Sequence, residues 1–446
     1  MARSANDDRW SKIVRNMKRI VFCFSCLSLM MLWGGMLCHA QFSKYFDPQA
    51  ICVKYLHTGN YYTERFQLKG FERQGEWAKS RQQLIDPFEY GYQKVELYDL
   101  ASGELIYSYS FNSLFSEYRT TVAGRKAEVT KSFRECVLIP QPKAPVRMVF
   151  YSRDFQQHYA VRLETVFHPA KQRVKTVRQR WEVLEPHVVV DPVHAYDLLI
   201  VPEGYARADS AKLRRDVERC AQAILQCTPY KDYAHRISIR AVVAYSRESG
   251  ISRETDSGEV RKTVAGSSFY TFGSERYLMA EDMWRLHRIA TQIPYEHILL
   301  LCNTSKYGGG GIYNFYSTVS DNRYFDYVCI HELGHGMAGL ADEYFTSEVA
   351  VQDFYPENVE PREPNITNLV QFEEKWQDMI VMSMPLPTPP TKQYDGKVGL
   401  FEGGGYCAKG IYRPCLTCSM KEIVYDRFCP VCVRAFQRMF DACCDR

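Results

Sequence analysis

The sequence predicts an α+β fold in which a β-sandwich precedes a domain of alternating strands and helices. Between residues 41 and 180, short stretches alternate apolar with polar side chains, and prolines interrupt them. From residue 195 onward, wholly apolar runs such as residues 198–201 are followed by segments with helical spacing. We therefore expect a β-rich N-terminal domain over residues 41–180 and a second domain over residues 195–446.

The first forty residues have the pattern of a signal peptide. Lys18 and Arg19 supply positive charge, residues 20–37 are apolar, and Ala40 is a small residue at the expected cleavage position. A transmembrane anchor is the alternative, but the apolar run is at the lower limit for spanning a bilayer. We expect residues 1–40 to be removed, which leaves an exported chain that is not an integral membrane protein.

The second domain is expected to alternate strands with helices after a linker around residues 173–190, which Pro186 and Pro192 indicate. The apolar patterns place strands at residues 198–201, 237–243 and 298–302, and helices at residues 211–227 and 279–293. Four consecutive glycines, residues 308–311, then predict a flexible rim, because they have no side chains to pack. Residues 312–319 are expected to form an edge strand, which can pair with an extended peptide.

Residues 331–335 read His-Glu-Leu-Gly-His, the most informative string in the chain. On a helix, His331 and His335 lie on one face and can bind the same Zn²⁺ ion. Glu332 is placed to act as a general base without being a ligand. Gly339 is a suitable residue to end this helix in a left-handed turn.

A catalytic zinc needs a third protein ligand and an open fourth position. No histidine follows His335, which favours an acid as that ligand over an acid that is only part of an exposed loop. Asp342 is the first choice, with Glu343 and then Glu348 as alternatives. We expect one catalytic Zn²⁺; a need for Ca²⁺ has no support in the sequence.

Charge and cysteine content limit the other functions. A net charge of +4 over 446 residues gives no basis for a nucleic-acid partner or a basic membrane patch. Seven of the 16 cysteines lie between Cys407 and Cys444. The pairs Cys415-x-x-Cys418 and Cys429-x-x-Cys432 fit either disulfides, which export permits, or a small structural zinc site, and both alternatives stay open. Cys329 is expected to be a buried free thiol.

Several segments together resemble the bacterial IgA-peptidase family of zinc metallopeptidases, a metzincin-like group. The HELGH string and the Leu-Ala-Asp-Glu-Tyr run that follows it are the most specific of these. Glu203 departs from the aspartate expected at its position. The matching segments are residues 197–205, 246–250, 307–311, 331–344, 363–365, 399–403 and 413–420.

The resemblance implies a metzincin-like fold in which Met420 belongs to a turn, the Met-turn, that lies beneath the metal. It implies hydrolysis of peptide bonds in a protein or glycoprotein substrate, with immunoglobulin A as one example. Glu332 would activate water, and the zinc would stabilise the oxyanion with the help of a donor for which Tyr425 and Tyr344 are candidates. The competing hypothesis is a non-catalytic envelope or adhesion protein with a degenerate or structural zinc site.

Overall fold

A computed structural model describes residues 41–154, 156–177, 180–189, 195–345 and 355–444. The signal-peptide prediction lies outside these residues. Within the described part of the chain, no helix combines the length and the apolar character needed to cross a bilayer. The N-terminal region consists of β1 (Phe46–Gly59), β2 (Glu64–Glu76), β3 (Gln93–Asp99), β4 (Leu105–Phe111), α1 (Leu114–Tyr118), β5 (Lys131–Pro142), β6 (Val146–Arg153), β7 (Tyr159–Phe167) and β8 (Val174–Thr176).

The remaining elements alternate strands with helices over the first part of the second region. They are β9 (Glu182–His187), β10 (Tyr196–Glu203), α2 (Ser210–Gln226), β11 (Ile237–Val243), α3 (Glu254–Ser257), β12 (Ser267–Ser268), β13 (Met279–Ala280), α4 (Met283–Ala290), β14 (His297–Cys302), β15 (Gly309–Ile312), β16 (Tyr316–Ser320), α5 (Phe325–Ala338), β17 (Phe401–Gly404), β18 (Cys407–Arg413) and α6 (Pro430–Cys443). Short 3₁₀ turns occur in several of the connections.

The N-terminal region forms two four-stranded sheets with the orders β5-β1-β2-β8 and β4-β3-β6-β7. Neighbouring strands are antiparallel, except that β8 runs parallel to β2. Aromatic side chains of the two sheets meet: the ring of Phe150 on β6 lies 5.3 Å from that of Tyr55 and 5.7 Å from that of Phe66. The prediction of a β-rich N-terminal region is confirmed.

A six-stranded sheet with the order β15-β16-β14-β10-β11-β9 forms the centre of the second region. Its four inner strands are parallel, and β15 and β9 are antiparallel edge strands. Strands β10 and β14 at its centre are buried throughout, which explains the apolar runs at residues 198–201 and 298–302. The segment predicted as a linker instead supplies β8 to one sheet and β9 to the other.

Two sequence predictions in this region are wrong in part. The helix expected over residues 279–293 is shorter, because Asp282 caps it by accepting a hydrogen bond from the Arg285 amide, and residues 279–280 form β13 instead. The glycine run is not a flexible rim: it forms the edge strand β15. The residues predicted as the edge strand turn at Asn314 and return as the inner strand β16.

The two regions share one apolar core. A continuous cluster of buried side chains includes Val53 and Val95 from the N-terminal sheets and Met283, Leu286 and Leu300 from the second region. Hydrogen bonds cross the same boundary, including one of 2.7 Å from the Trp284 indole to the Glu135 carbonyl and one of 2.9 Å from the Asn112 amide to the Tyr313 carbonyl. The N-terminal sheets are therefore fixed against the elements that carry the HELGH string.

Candidate metal centre

Helix α5 carries His331 and His335, and it is buried on nearly every side. The Ser317 hydroxyl on β16 donates a hydrogen bond of 2.9 Å to the Glu332 carbonyl, which fixes the helix to the sheet. The helix ends at Ala338 because Gly339 adopts φ = 63°, the left-handed conformation predicted for it. The imidazole Nε2 atoms of the two histidines lie 3.2 Å apart.

The other nitrogen of each ring is held by a backbone carbonyl. His331 Nδ1 lies 2.9 Å from the Ser419 oxygen, and His335 Nδ1 lies 2.6 Å from the Leu340 oxygen. A neutral imidazole that donates from Nδ1 presents a lone pair at Nε2, which is the form that binds metal ions. The backbone thus selects the tautomer that a metal site requires at both positions.

Asp342 completes this group. Its Oδ1 atom lies 3.1 Å from His331 Nε2 and 3.4 Å from His335 Nε2, and the three side chains offer ligand atoms within 4.8 Å of one another. Among the described residues, nothing donates a hydrogen bond to this buried Oδ1 atom. Two imidazole nitrogens and an orphaned carboxylate oxygen fit a divalent metal such as Zn²⁺, with a fourth position left for water or substrate.

Two polar side chains hold Asp342 in place. The Tyr406 hydroxyl donates a short hydrogen bond to Asp342 Oδ2, which leaves Oδ1 to face the histidines. The Asn365 side chain bonds both backbone groups of Ala341, at 2.8 Å and 2.9 Å, and so fixes the turn before Asp342. Asn365 is fully buried, so it serves the structure of this loop.

The electrostatics of the centre favour a positive charge between the three side chains. Burial opposes protonation of His335, but the Asp342 carboxylate outweighs it and raises the pKa of His335 to about 9. Burial likewise opposes ionisation of Asp342, but the two imidazoles hold its pKa well below the usual range. A metal cation provides the same compensation without protonating the ligands.

Glu332 lies against the glycine edge strand. A Cβ atom on Gly309 would come within 3.0 Å of Glu332 Oε1, and one on Gly311 would come within 2.3 Å of the Glu332 carbonyl. The glycines of β15 therefore allow a sheet edge to lie directly on the HELGH helix. Burial raises the pKa of Glu332, and the two histidines offset only part of this increase.

The turn that contains Met420 lies beneath the helix. Met420 is fully buried, and its Sδ atom is 2.8 Å from the position a Cβ atom on Gly334 would take. The Met420 carbonyl accepts a hydrogen bond of 2.8 Å from the Glu343 amide. The turn thus contacts both the helix with the histidines and the segment with Asp342.

The other residues singled out in the sequence have different positions. Glu343 points away from the histidines into a group of cysteines, and Glu348 lies outside the described residues. The Tyr425 hydroxyl bonds the Ala223 carbonyl at 2.6 Å and does not line the cleft. Tyr344 does line the cleft, with its ring 5.3 Å from that of Tyr406. Buried Glu203 bonds the hydroxyl of Thr263 and backbone amides of the same loop.

A cleft of about 1700 Å³ opens over the metal centre. Its walls come from both regions of the chain: Tyr92, Glu117 and Arg119 from the N-terminal region face Glu332 and Tyr307 from the second. Burial raises the pKa of Glu117 to about 7. The cleft is larger than a usual small-molecule pocket, and both regions contribute residues to its walls.

Two protein-family models match this chain. A family model described as IgA Peptidase M64 matches residues 187–394 and 390–440, which together make up more than half of the chain. A second model, described as Peptidase M64 N-terminus, matches residues 41–164. No curated protein matches the chain. His331, Glu332, His335, Asp342 and Met420 all fall within the first match.

Proposed function

The chain belongs to the M64 peptidase family, and from this we propose that it is an exported, zinc-dependent endopeptidase. The observation that carries the proposal is the group formed by His331, His335 and Asp342, whose ligand atoms converge within 4.8 Å around an orphaned carboxylate oxygen. When bound there, Zn²⁺ supplies Lewis acidity that polarises a carbonyl oxygen and acidifies water. The nitrogen and oxygen donors suit Zn²⁺ better than Ca²⁺, which prefers six or more oxygen ligands.

Glu332 is proposed as the general base. It follows His331 directly on α5, remains partly exposed and lines the cleft beside the metal ligands. Its carboxylate would take a proton from the attacking water and deliver that proton to the nitrogen of the leaving amine. A purely structural metal site has no use for this carboxylate, which argues for an enzyme over a binding protein.

The substrate is proposed to be a protein or glycoprotein that lies along β15. This strand is a sheet edge over the metal helix, and its outer side is only partly covered, by residues 276–278. An extended peptide can pair with such an edge through main-chain hydrogen bonds. Functionally, residues 41–180 would be a substrate-binding domain and residues 195–446 the catalytic domain. The family description names immunoglobulin A, which is therefore the first substrate to test.

The test compares the purified protein with Glu332→Ala. Both would be incubated with immunoglobulin A, mucin and casein, with and without a zinc chelator, and the metal content of each would be measured. We expect Glu332→Ala to retain its metal and to lose roughly 100- to 10,000-fold in turnover. Glu373→Gln, at an exposed acid that does not line the cleft, is the matched control and should keep most of the turnover. Cleavage that survives loss of Glu332, or no cleavage by the metal-loaded protein, would contradict the proposal.

A further inference from the structure

A second group of metal-binding side chains lies behind the first. Glu343, Cys418, Cys429 and Cys432 are all buried, and each offers a ligand atom within 4.8 Å of the others. Glu343 Oε1 lies 3.2 Å from Cys432 Sγ and 4.0 Å from Cys429 Sγ. None of these four side chains lines the cleft over His331 and His335.

The spacing of the sulfur atoms distinguishes a metal site from a disulfide. Cys418 Sγ and Cys432 Sγ are 3.7 Å apart. Zn–S bonds of about 2.3 Å in a tetrahedron separate neighbouring sulfurs by about 3.8 Å, whereas bonded sulfurs are only about 2.05 Å apart. All thirteen cysteines of the described residues are free thiols, so no disulfide competes for these sulfurs within that part of the chain.

The Glu343 carboxylate is an independent indication of a missing cation. Glu343 is fully buried, and its Oε2 atom accepts no hydrogen bond from any described residue. Asn365 donates to Oε1 alone, at 3.0 Å. A carboxylate removed from water is costly unless a cation or several donors compensate it. The thiols of Cys429 and Cys432 are weak donors that reach only Oε1, whereas a metal ion shared with them would compensate the whole carboxylate.

We propose that Glu343, Cys418, Cys429 and Cys432 bind a second Zn²⁺ ion in a closed structural site. Four protein ligands fill a tetrahedron and leave no position for substrate. Cys415, which the sequence pattern grouped with the other three cysteines, is replaced by Glu343. The Cys415 thiol contacts Cys429 and lies 3.4 Å from the Lys397 carbonyl, but it is outside the group in which every ligand atom lies within 4.8 Å of every other.

This site connects three distant parts of the catalytic centre. Glu343 follows Asp342, Cys418 precedes Ser419 and Met420, and Cys429 and Cys432 begin helix α6. The Ser419 carbonyl in turn holds His331 Nδ1. A metal ion bound here would hold Asp342 and the Ser419 carbonyl, which orients His331, in one rigid unit.

The first experiment measures bound metal in the full chain. We expect two equivalents of zinc in the wild-type protein and one in Cys432→Ser, with Cys415→Ser as a matched control that keeps two. His335→Ala should lose the other ion. One equivalent in the wild type, or loss of metal in Cys415→Ser, would overturn the assignment.

A cobalt titration, which first tests the wild type itself, separates the two sites without relying on peptidase activity. After zinc is removed, Co²⁺ bound by thiolates produces a charge-transfer band that nitrogen and oxygen ligands do not produce. We expect this band in the wild type, a shifted or weakened band in Glu343→Gln, and an unchanged band in His335→Ala. Absence of the band, or an unchanged band in Glu343→Gln, would contradict the proposal. So would a thiol titration of the protein, unfolded without reductant, that finds these cysteines joined in disulfides.

Discussion

The Nδ1 atom of His331 lies 2.9 Å from the carbonyl oxygen of Ser419, a residue 88 positions further along the chain. The first candidate metal ligand is therefore oriented by the turn that contains Met420 as well as by its own helix, where the Tyr327 hydroxyl lies 3.3 Å from the same nitrogen. Any change that moves this turn should change metal binding as well as stability.

Replacement of Met420 by alanine tests this coupling. Met420 is fully buried against Gly334 of the metal helix, so its truncation leaves a cavity beneath the histidines. We expect a loss of about 2–5 kcal/mol in the free energy of unfolding, together with weaker metal binding. Denaturant unfolding and metal titration would measure both. Met382→Ala, at a methionine that is 75% exposed, is the control and should change neither.

The hydrogen bond from Tyr406 to Asp342 predicts an effect on metal affinity. Tyr406→Phe removes the donor but keeps the ring, so Asp342 becomes free to rotate away from the histidines. We expect metal affinity to fall roughly 10- to 100-fold with little change in stability. Competition with a metal chelator measures the affinity. Tyr62→Phe, at an exposed tyrosine, should match the wild type; equal affinities in all three proteins would remove Tyr406 from the site.

The close approach of β15 to the metal helix predicts that Gly311 tolerates no side chain. A Cβ atom there would come 2.3 Å from the Glu332 carbonyl and 2.9 Å from the His335 Cβ atom. Gly311→Ala should displace the helix and lower turnover on the order of 100-fold. Gly404→Ala is the control, because its added Cβ atom would meet no other atom closer than 3.6 Å. Full activity in Gly311→Ala would show that the strand can move aside.

His57 predicts a pH dependence of stability that belongs to the N-terminal sheets. It is fully buried between Glu135, at 2.7 Å, and Glu64, at 2.8 Å. Burial alone would lower the pKa of His57, but the two carboxylates outweigh it and the pKa is raised. Since the folded state binds the proton more tightly, protonated His57 adds to the free energy of unfolding. This stabilisation is complete below about pH 6.5 and is lost as the pH rises through the higher pKa that His57 has in the folded state.

The measurement is the free energy of unfolding of the wild type and of His57→Gln across this pH range. The difference between them should shrink as the pH rises above about 6.5. His158→Gln, at a side chain that is 75% exposed, is the control. A difference that stays constant with pH would show that the folded protein binds this proton no more tightly than the unfolded chain.

Local patterns in the sequence predicted part of the fold and of the site. The helix with His331 and His335, its end at Gly339 and the parallel strands follow from short-range periodicity, and the structure contains them. The family resemblance is confirmed by the matching family models. These features depend on residues that are near one another in the chain, where helix and strand geometry dictates which side chains share a face.

Contacts between distant residues could not be predicted in the same way. Tyr406 meets Asp342 across 64 positions, and Asn365 meets Ala341 across 24, without a motif that links them. The glycines of β15 predicted a flexible rim, and this prediction is wrong. Their role depends on how closely a helix packs against them, which no local pattern shows. The sequence also permits Glu343 as a ligand of the catalytic metal, since no local pattern shows that this side chain faces the cysteines.

The apolar core that spans both regions has a consequence for how the enzyme can be controlled. Loss of the N-terminal sheets would uncover Met283, Leu286 and their neighbours, which are now fully buried, and would take away part of the cleft wall. A freed catalytic fragment would tend to aggregate instead of becoming active. The N-terminal sheets are thus ill suited to be a propeptide that is cut away on activation, and control by that route is disfavoured.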